Sequence, residues 1–373
     1  MGHKVLGLLN LYDSPTLGEL TKKRTTGSTS FLGRYAIMDF ALSNFTNSSI
    51  DEINILVKDN YRSVAKHIGS LKTWVNNTKI GRQNILMNER GIRDPKFNSD
   101  LNAIRENDWV YFESDADYII IAPAHIITII DYNEVLKFHK EKGADITLVY
   151  TKIKNGTKAF LSSNVLEVKN DVVTFLAPNK GQKDDVSVSM RTYVISRDAF
   201  LRIIRHKDYR DALSIRMLME TIIANQSLKV YGYEHKGYVR CIDSFEHFIE
   251  YSFELLDYKV ATQLFDQGAP IYTRTHSAPP TNYGEKAVCK NCYLANGGHI
   301  EGSVKNSIVS RYVEIAPKAK VDHSILLTKA IVGEGVRVEY AVVDKYAKIY
   351  KDVIGSKDEP VYVAQGKVIK WRL

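Results

Sequence analysis

The chain has 373 residues, 44% of them hydrophobic and 25% charged, the balance of a soluble globular protein with room for two or three domains. No apolar run approaches the roughly eighteen residues that a membrane-spanning helix needs, and three cysteines cannot build a disulfide framework. The formal charge of +8 comes from scattered lysines and arginines without a long basic run or a nucleic-acid-binding motif, which favours a small polyanionic ligand or an acidic partner over DNA or RNA.

Met1 to Leu9 carries one charge and a short apolar stretch, and Asp13 and Pro15 follow without a small-residue cleavage pattern. The segment from Lys4 therefore predicts a first β-strand and not a signal peptide, and reduced cysteines fit a cytoplasmic setting. Ile37 to Asn47 has helical spacing, with Ile37, Phe40, Ala41 and Phe45 on one face. Glu52–Val57 reads as a buried strand, and a helix is expected around Tyr61–Ile68. Asn76 to Asn107 is polar and reads as loop with short helices. Asp117–Ala122 predicts a strand, Asn133–Lys142 a helix, and Ala144–Tyr150 a further strand. Strands alternating with helices imply an α/β domain with a mostly parallel sheet. Ligands in such folds lie outside the carboxyl ends of the strands, so chemistry is expected in the loops 10–16 and 122–128. A long amphipathic helix from about Ser244 to Leu264 closes this domain, and Gly268-Ala269-Pro270 and Pro279-Pro280 mark the way out of it.

Three 17-residue blocks then align at Val304, Val321 and Val338. Ile308, Ile325 and Val342 share one column, and Ile315, Val332 and Ile349 share another. A spacing of six is nested inside, from Ile315 to Val321, Val332 to Val338 and Val343 to Ile349. This is the pattern of a parallel β-helix of hexapeptide type, whose turns bury their inward aliphatics only by stacking. A less regular turn precedes them, where Asn291-Cys292-Tyr293-Leu294 echoes Asn306-Ser307-Ile308-Val309. Cys289 and Cys292 lack the second pair that a zinc site wants and read as structural. The division expected is an α/β domain over residues 1–265 and a β-helix over 266–373.

Several motifs carry a resemblance across nearly the whole chain. Leu17-Gly18-Glu19-Leu20-Thr21-Lys22-Lys23-Arg24, then Phe31, Gly33 and Asp39-Phe40-Ala41-Leu42-Ser43-Asn44, are similar to the N-terminal signature of glucose-1-phosphate adenylyltransferase (ADP-glucose pyrophosphorylase). Ser189-Met190 before Tyr193-Val194, Gly237-Tyr238, Pro279-Pro280 and Asp344-Lys345 extend it. The resemblance implies a Rossmann-like nucleotidyltransferase domain followed by a left-handed parallel β-helix. It also implies a reaction in which ATP and glucose 1-phosphate give ADP-glucose and pyrophosphate with the help of a divalent cation.

The residues that this chemistry uses in the family are missing at the matching positions. The glycine-rich triphosphate loop with its arginine falls on Leu11-Tyr12-Asp13-Ser14-Pro15-Thr16, which has no glycine and ends in Thr16. The basic residue of a Lys-Pro pair falls on Thr26, and the two metal-binding aspartates fall on Ala124 and Cys241. The Glu-Lys-Pro that holds the sugar phosphate appears as Leu176-Ala177-Pro178. Losing one electrostatic stabiliser costs on the order of a hundred- to a thousand-fold in rate, and here several are gone together. Asp131, Asp243 and Glu246 are conceivable substitute metal ligands, but Asp131 and Asp243 read better as helix N-caps. His125, His299 and His323 carry no partner pattern and read as structural or exposed.

Lys22, Lys23, Arg24 and Arg34 survive; in the family the equivalent segment lies where anionic sugar-phosphate effectors bind, so they read as an effector or subunit-contact region or else as a solvated basic face. The expectation is a regulatory, non-catalytic paralogue that needs no cofactor of its own and assembles with a Mg2+-dependent catalytic subunit as a heterotetramer in glycogen synthesis. Three alternatives stand beside it: an active adenylyltransferase with a divergent loop, a sugar-phosphate or nucleotide sensor, and an acyltransferase of the β-helix type.

Overall fold

The apolar run after Lys4 forms β1 (Val5–Asn10), near the middle of a nine-stranded sheet. The computed structural model describes residues 4–69, 72–77, 81–88, 94 and 97–370. The remaining strands of this sheet are β2 (Glu52–Leu56), β3 (Gln83–Leu86), β4 (Tyr118–Pro123), β5 (Ile146–Ile153), β6 (Asn164–Lys169), β7 (Val172–Pro178), β8 (Val186–Ser196) and β9 (Val230–Glu234). Their spatial order is β3-β2-β1-β4-β8-β5-β9-β7-β6. The first four are mutually parallel and β5 runs parallel to β9, but β8 is antiparallel to both β4 and β5. The sheet is therefore mixed. A parallel neighbour needs a crossover of a dozen or more residues, and β6, β7 and β8 follow one another through short links instead.

Side chains alternate across this sheet and feed two cores. Leu8, Ile121 and Leu148 face α3 (Arg197–Arg205) and α4 (Ile215–Ala224), while Leu9, Ile120 and Val149 face α1 (Met38–Asn47) and α2 (Tyr132–Glu141). Helix α1 is buried on nearly all sides, more than a single apolar face would require, because Phe40 packs toward the second domain while Ala41 and Phe45 pack on the sheet. The polar stretch 76–107 contributes β3 and the short helix Asp100–Glu106, and part of it lies outside the described residues. The single helix expected over 244–264 is two, Phe245–Glu254 and Tyr258–Phe265. Asp257 starts the second by accepting the Lys259 amide at 2.8 Å, a local cap that interrupts an otherwise continuous amphipathic pattern.

Beyond residue 281, short parallel strands stack from Asn282–Tyr283 to Val368–Ile369. Ser303 pairs with Lys320 and Lys320 with Arg337, and Ile308, Ile325 and Val342 sit one above another, as the repeat spacing requires. The less regular turn also holds, with Cys292 opposite Ser307. Corners are made at Asn291, Asn306, His323 and Tyr340, all with positive φ, and the rings of His323 and Tyr340 stack at 4.8 Å on the outside.

The two repeat columns do different work. Ile315, Val332 and Ile349 fill the inside of the coil with Val304, Val321 and Val338. Ile308, Ile325 and Val342, by contrast, point outward onto Leu17, Leu20, Phe31, Phe40, Phe248 and Leu255 of the first domain. That column buries an interface between domains and not the interior of the turn. Gly33, at φ +77°, lets the chain reach the coil, since a Cβ there would lie 2.8 Å from the Val309 carbonyl oxygen.

Within this apolar junction sits one fully desolvated ion pair. Arg24 Nη1 and Nη2 donate to Asp344 Oδ1 and Oδ2, both at 2.8 Å, and Tyr362 Oη donates to the same carboxylate at 2.8 Å. Arg24 is 4% exposed and Asp344 1%. Removing one partner of such a pair leaves a buried charge and typically costs about 3–5 kcal/mol. Arg24→Met and Asp344→Leu singly should each lower unfolding stability by about that much in urea denaturation, and the double variant by much less. A single-variant loss below about 1 kcal/mol would show that the pair is not the fastening described here.

Candidate functional site

The parallel strands β1 and β4 end side by side at Asn10 and Pro123, the edge where an α/β sheet presents ligands. Asn10 is held from both ends of its amide: Nδ2 donates to Asp100 Oδ2 at 2.9 Å and Oδ1 accepts the Tyr12 amide at 2.9 Å. This turns the following loop inward. Leu11 and Tyr12 are buried, and burial, with Glu106 next, pushes the Tyr12 phenol up to about 12. Asp13 then meets Arg191 from β8, which binds its carboxylate and donates to its carbonyl oxygen at 3.1 Å. The cavity bounded by Asn10, Asp13, Asp100, Arg191 and Arg216 measures only about 10 Å³, room for roughly one water.

The four positions singled out from the sequence converge beside this loop. Thr16 is exposed and accepts the Gly18 amide at 3.1 Å. Thr26 is buried, with its hydroxyl donating to the Pro15 carbonyl. The next residue, Gly27, packs on Ala124: a Cβ on Gly27 would approach the Ala124 Cβ to 3.0 Å. Ala124 leads into a ribbon in which Ile126–Thr128 pairs with Val239–Cys241, bringing Cys241 to the same place. Ala124 and Cys241 are both fully buried, and burial with the nearby Asp243 raises the Cys241 thiol well above its usual range. Leu176-Ala177-Pro178 ends β7 at a separate cleft.

The polar groups near Ala124 and Cys241 are engaged with one another. Asp243 Oδ1 lies 2.5 Å from His247 Nδ1, and Asp243 Oδ2 accepts the Ser162 amide at 3.3 Å. Burial alone would raise the Asp243 carboxyl, but the hydrogen bond and charge of His247 bring it below its ordinary value and raise His247 in turn. The cap of the following helix is Ser244, which accepts the His247 amide at 3.1 Å, so Asp243 is a partner of His247 and not the cap. Asp131 does cap its helix, accepting the Asn133 amide at 2.8 Å. Glu246 lies in the first turn after Ser244. Among the described residues no three His, Cys, Asp or Glu side chains are grouped to hold a metal ion.

His125 is fully buried with neither ring nitrogen hydrogen-bonded, and burial pushes it down to about 4. His299 is exposed beside Glu301, and His323 is half-buried beside Asp322. Of the four surviving basic residues, Lys22 and Lys23 are exposed, Lys22 pairing with Glu19, while Arg24 is committed to Asp344. Arg34 is exposed over the Tyr35 ring at 5.2 Å, and its carbonyl accepts Arg311 Nη1 at 3.0 Å across the domain junction. Other cations gather there. Burial, then Arg311 and Arg274, lowers His276 to about 4, and burial, then Arg24, lowers Lys345 to about 8 despite Asp344. Arg191 and Arg311 were not legible as site residues, because nothing in their local sequence marks them, and Lys345 was marked only as part of the Asp344-Lys345 resemblance.

Residues 16–238 match the nucleotidyl transferase family, and residues 279–360 match the GlmU-like C-terminal hexapeptide domain. The chain belongs to the nucleotidyl transferase family. It is 30% identical over 319 residues to glucose-1-phosphate adenylyltransferase of Clostridium kluyveri, covering 83% of this chain and 82% of that one. It is 28% identical over 368 residues to the glycogen biosynthesis protein GlgD of Bacillus subtilis, covering 97% of this chain and 96% of that one. Glucose-1-phosphate adenylyltransferase of Fervidobacterium nodosum is 29% identical over 343 residues, 91% of this chain and 82% of that one. No described helix is long and apolar enough to cross a membrane.

The buried histidine gives a pH prediction. His125 is depressed to about 4 in the folded chain and titrates near 6.5 when unfolded. The unfolded state thus binds the extra proton first as pH falls, so stability is lost between about 6.5 and about 4. His125→Leu should remove roughly 3 kcal/mol of that acid-side loss, read from denaturation midpoints at both ends of the window. His247, raised by Asp243, acts oppositely: its contribution is full below about 6.5 and fades above. An unchanged acid-side slope in His125→Leu would contradict the assignment.

Proposed function

We propose that this chain is a regulatory, non-catalytic subunit that assembles with a catalytic glucose-1-phosphate adenylyltransferase subunit in glycogen synthesis. The observation that carries the reading is the closure of the carboxyl end of β1 by Asp13 and Arg191, next to a packed Ala124 and Cys241. Adenylyl transfer needs donors and a metal aimed at the charge that develops on the phosphates. Here a carboxylate faces that space, which repels a triphosphate, and two apolar side chains stand where ligands for a cation belong in the family. Magnesium then belongs to the partner's site. In this reading the assembly is a heterotetramer, the repeat domain winds left-handed and the sheet is of Rossmann type.

Regulation is assigned to the junction. Lys22, Lys23 and Arg34 are solvent-facing, and Arg274, His276, Arg311 and Lys345 lie around the same seam. An anionic sugar phosphate bound there would gain Coulomb energy and report on the fit between the domains, an arrangement that allows coupling between sites. Arg24 is the fastener of that seam and not a free contact. A second reading, a sugar-phosphate or nucleotide sensor, draws on the open cleft of about 300 Å³ between Thr16, Lys22, Thr26 and Lys58.

Magnesium-dependent ADP-glucose formation should be absent for this chain alone. It should be present for the catalytic subunit, and raised or altered in effector response for the two co-purified. Lys22→Glu with Lys23→Glu should blunt the response of the mixture to sugar phosphates while leaving assembly intact. Turnover by this chain alone, or a mixture that behaves as the catalytic subunit by itself, would refute the assignment.

A further inference from the structure

Arg191 occupies a backbone conformation suited to glycine. Its φ is +52°, at the point where β8 loses register against β5 between Ser189 and Thr192. A non-glycine residue held there costs on the order of 1–3 kcal/mol, and an irregularity of this kind re-aims a side chain beside a functional site. The result is a buried guanidinium, 8% exposed, turned to the carboxyl end of β1. Arg216 lines the same cavity, with Nη1 donating to the Ser162 carbonyl at 3.3 Å. The other carboxylate there, Asp100, is already satisfied by Asn10 Nδ2 and the amides of Leu101 and Ile215 at 2.9, 2.8 and 3.2 Å. Two guanidiniums thus face a space whose mouth is closed by one carboxylate of the same chain. That carboxylate is 38% exposed and sits on a loop, whereas Arg191 is fixed in the sheet.

We propose that Asp13 is a built-in anion that latches this cavity, and that Arg191 with Arg216 binds an external phosphoryl anion when Asp13 swings out. The planar fork of an arginine suits carboxylate and phosphate oxygens alike, so the two compete for the same donors. A tethered competitor acts at an effective concentration of about millimolar or more, which keeps an external anion weak until the latch is loosened. The inference rests on reading the site as non-catalytic and gives it a binding role: a phosphoryl group trades places with Asp13 and moves the 11–16 loop, which adjoins the Lys22–Arg24 segment at the junction.

The test is calorimetric titration of the purified full chain with pyrophosphate. Asp13→Asn and Asp13→Ser should each bind at least about tenfold tighter than the wild type, since the tethered competitor is gone. Adding Arg191→Gly, which the backbone accepts, should return affinity to the wild-type level or below. Asp198→Asn, the same charge change at an exposed distant residue, should alter nothing. The latch is overturned if neither Asp13 variant binds tighter, if Asp198→Asn tightens binding equally, or if the Arg191→Gly double variant still binds like the single one. These outcomes concern the isolated chain, so they are distinct from a failure to assemble with or regulate a catalytic subunit.

Discussion

The joint between the two domains governs the rest of the molecule. An outward column of aliphatics, Ile308, Ile325 and Val342, is buried against the segment 17–40, with Arg24 and Asp344 paired inside the apolar seam. Burial at roughly 25 cal/mol per Å2 supplies the driving force. The ion pair adds little net energy beside an apolar replacement, but it tolerates little displacement, because a half-broken pair is a buried charge. The segment fastened this way begins directly after the 11–16 loop. The candidate site and the repeat domain are therefore neighbours through a single stretch of chain.

The same geometry explains which features of the fold were legible. Spacing of seventeen and six dictated stacked turns and predicted every rung from Ser303 to Ile349 in register. It did not distinguish Ile315 from Ile308, because an inward column and an interface column are equally aliphatic. Periodicity reports burial, and the side from which burial comes is a tertiary matter. The early strands and helices announced themselves by apolar runs and 3.6 spacing. The β6–β7 hairpin and β8 did not, since their residues mix polar and apolar without clean alternation, as Val172-Val173-Thr174-Phe175 shows. The split of the helix at Asp257 hid within an amphipathic pattern that continues across it.

At the candidate site, the sequence located the loops and the missing groups but not what replaced them. Thr16, Thr26, Ala124 and Cys241 are far apart in the chain and adjacent in space, through the Pro15–Thr26 hydrogen bond, the Gly27–Ala124 contact and the ribbon to Cys241. Each is satisfied or packed where it stands. A charged ligand placed there would meet a closed shell: an aspartate in place of Ala124 would enter a fully buried position packed against Gly27. Such a group would neutralise itself by a raised pKa before serving a cation. The four positions form one packed neighbourhood and not a set of independent replacements.

Arg191 could not be found by any local rule. An arginine inside a strand pattern reads as an exposed edge residue, and positive φ is invisible when the residue is not glycine. What makes it matter is the loop that Asn10 turns back toward the sheet through its bonds to Asp100 and Tyr12. With that loop folded in, Asp13 meets a guanidinium that has lost most of its water, and each charge becomes the other's replacement for solvent. The pair is asymmetric, because one partner is mounted on a rigid sheet and the other on a loop at the surface. Any opening must therefore begin with Asp13. The cationic seam around Arg34, Arg311 and Lys345 lies at the other end of the same segment and has few anions of its own. In the regulatory reading proposed above, an anion arriving at either end would relieve like-charge repulsion locally, and the fastening of the segment 17–35 at Arg24 would couple the two ends.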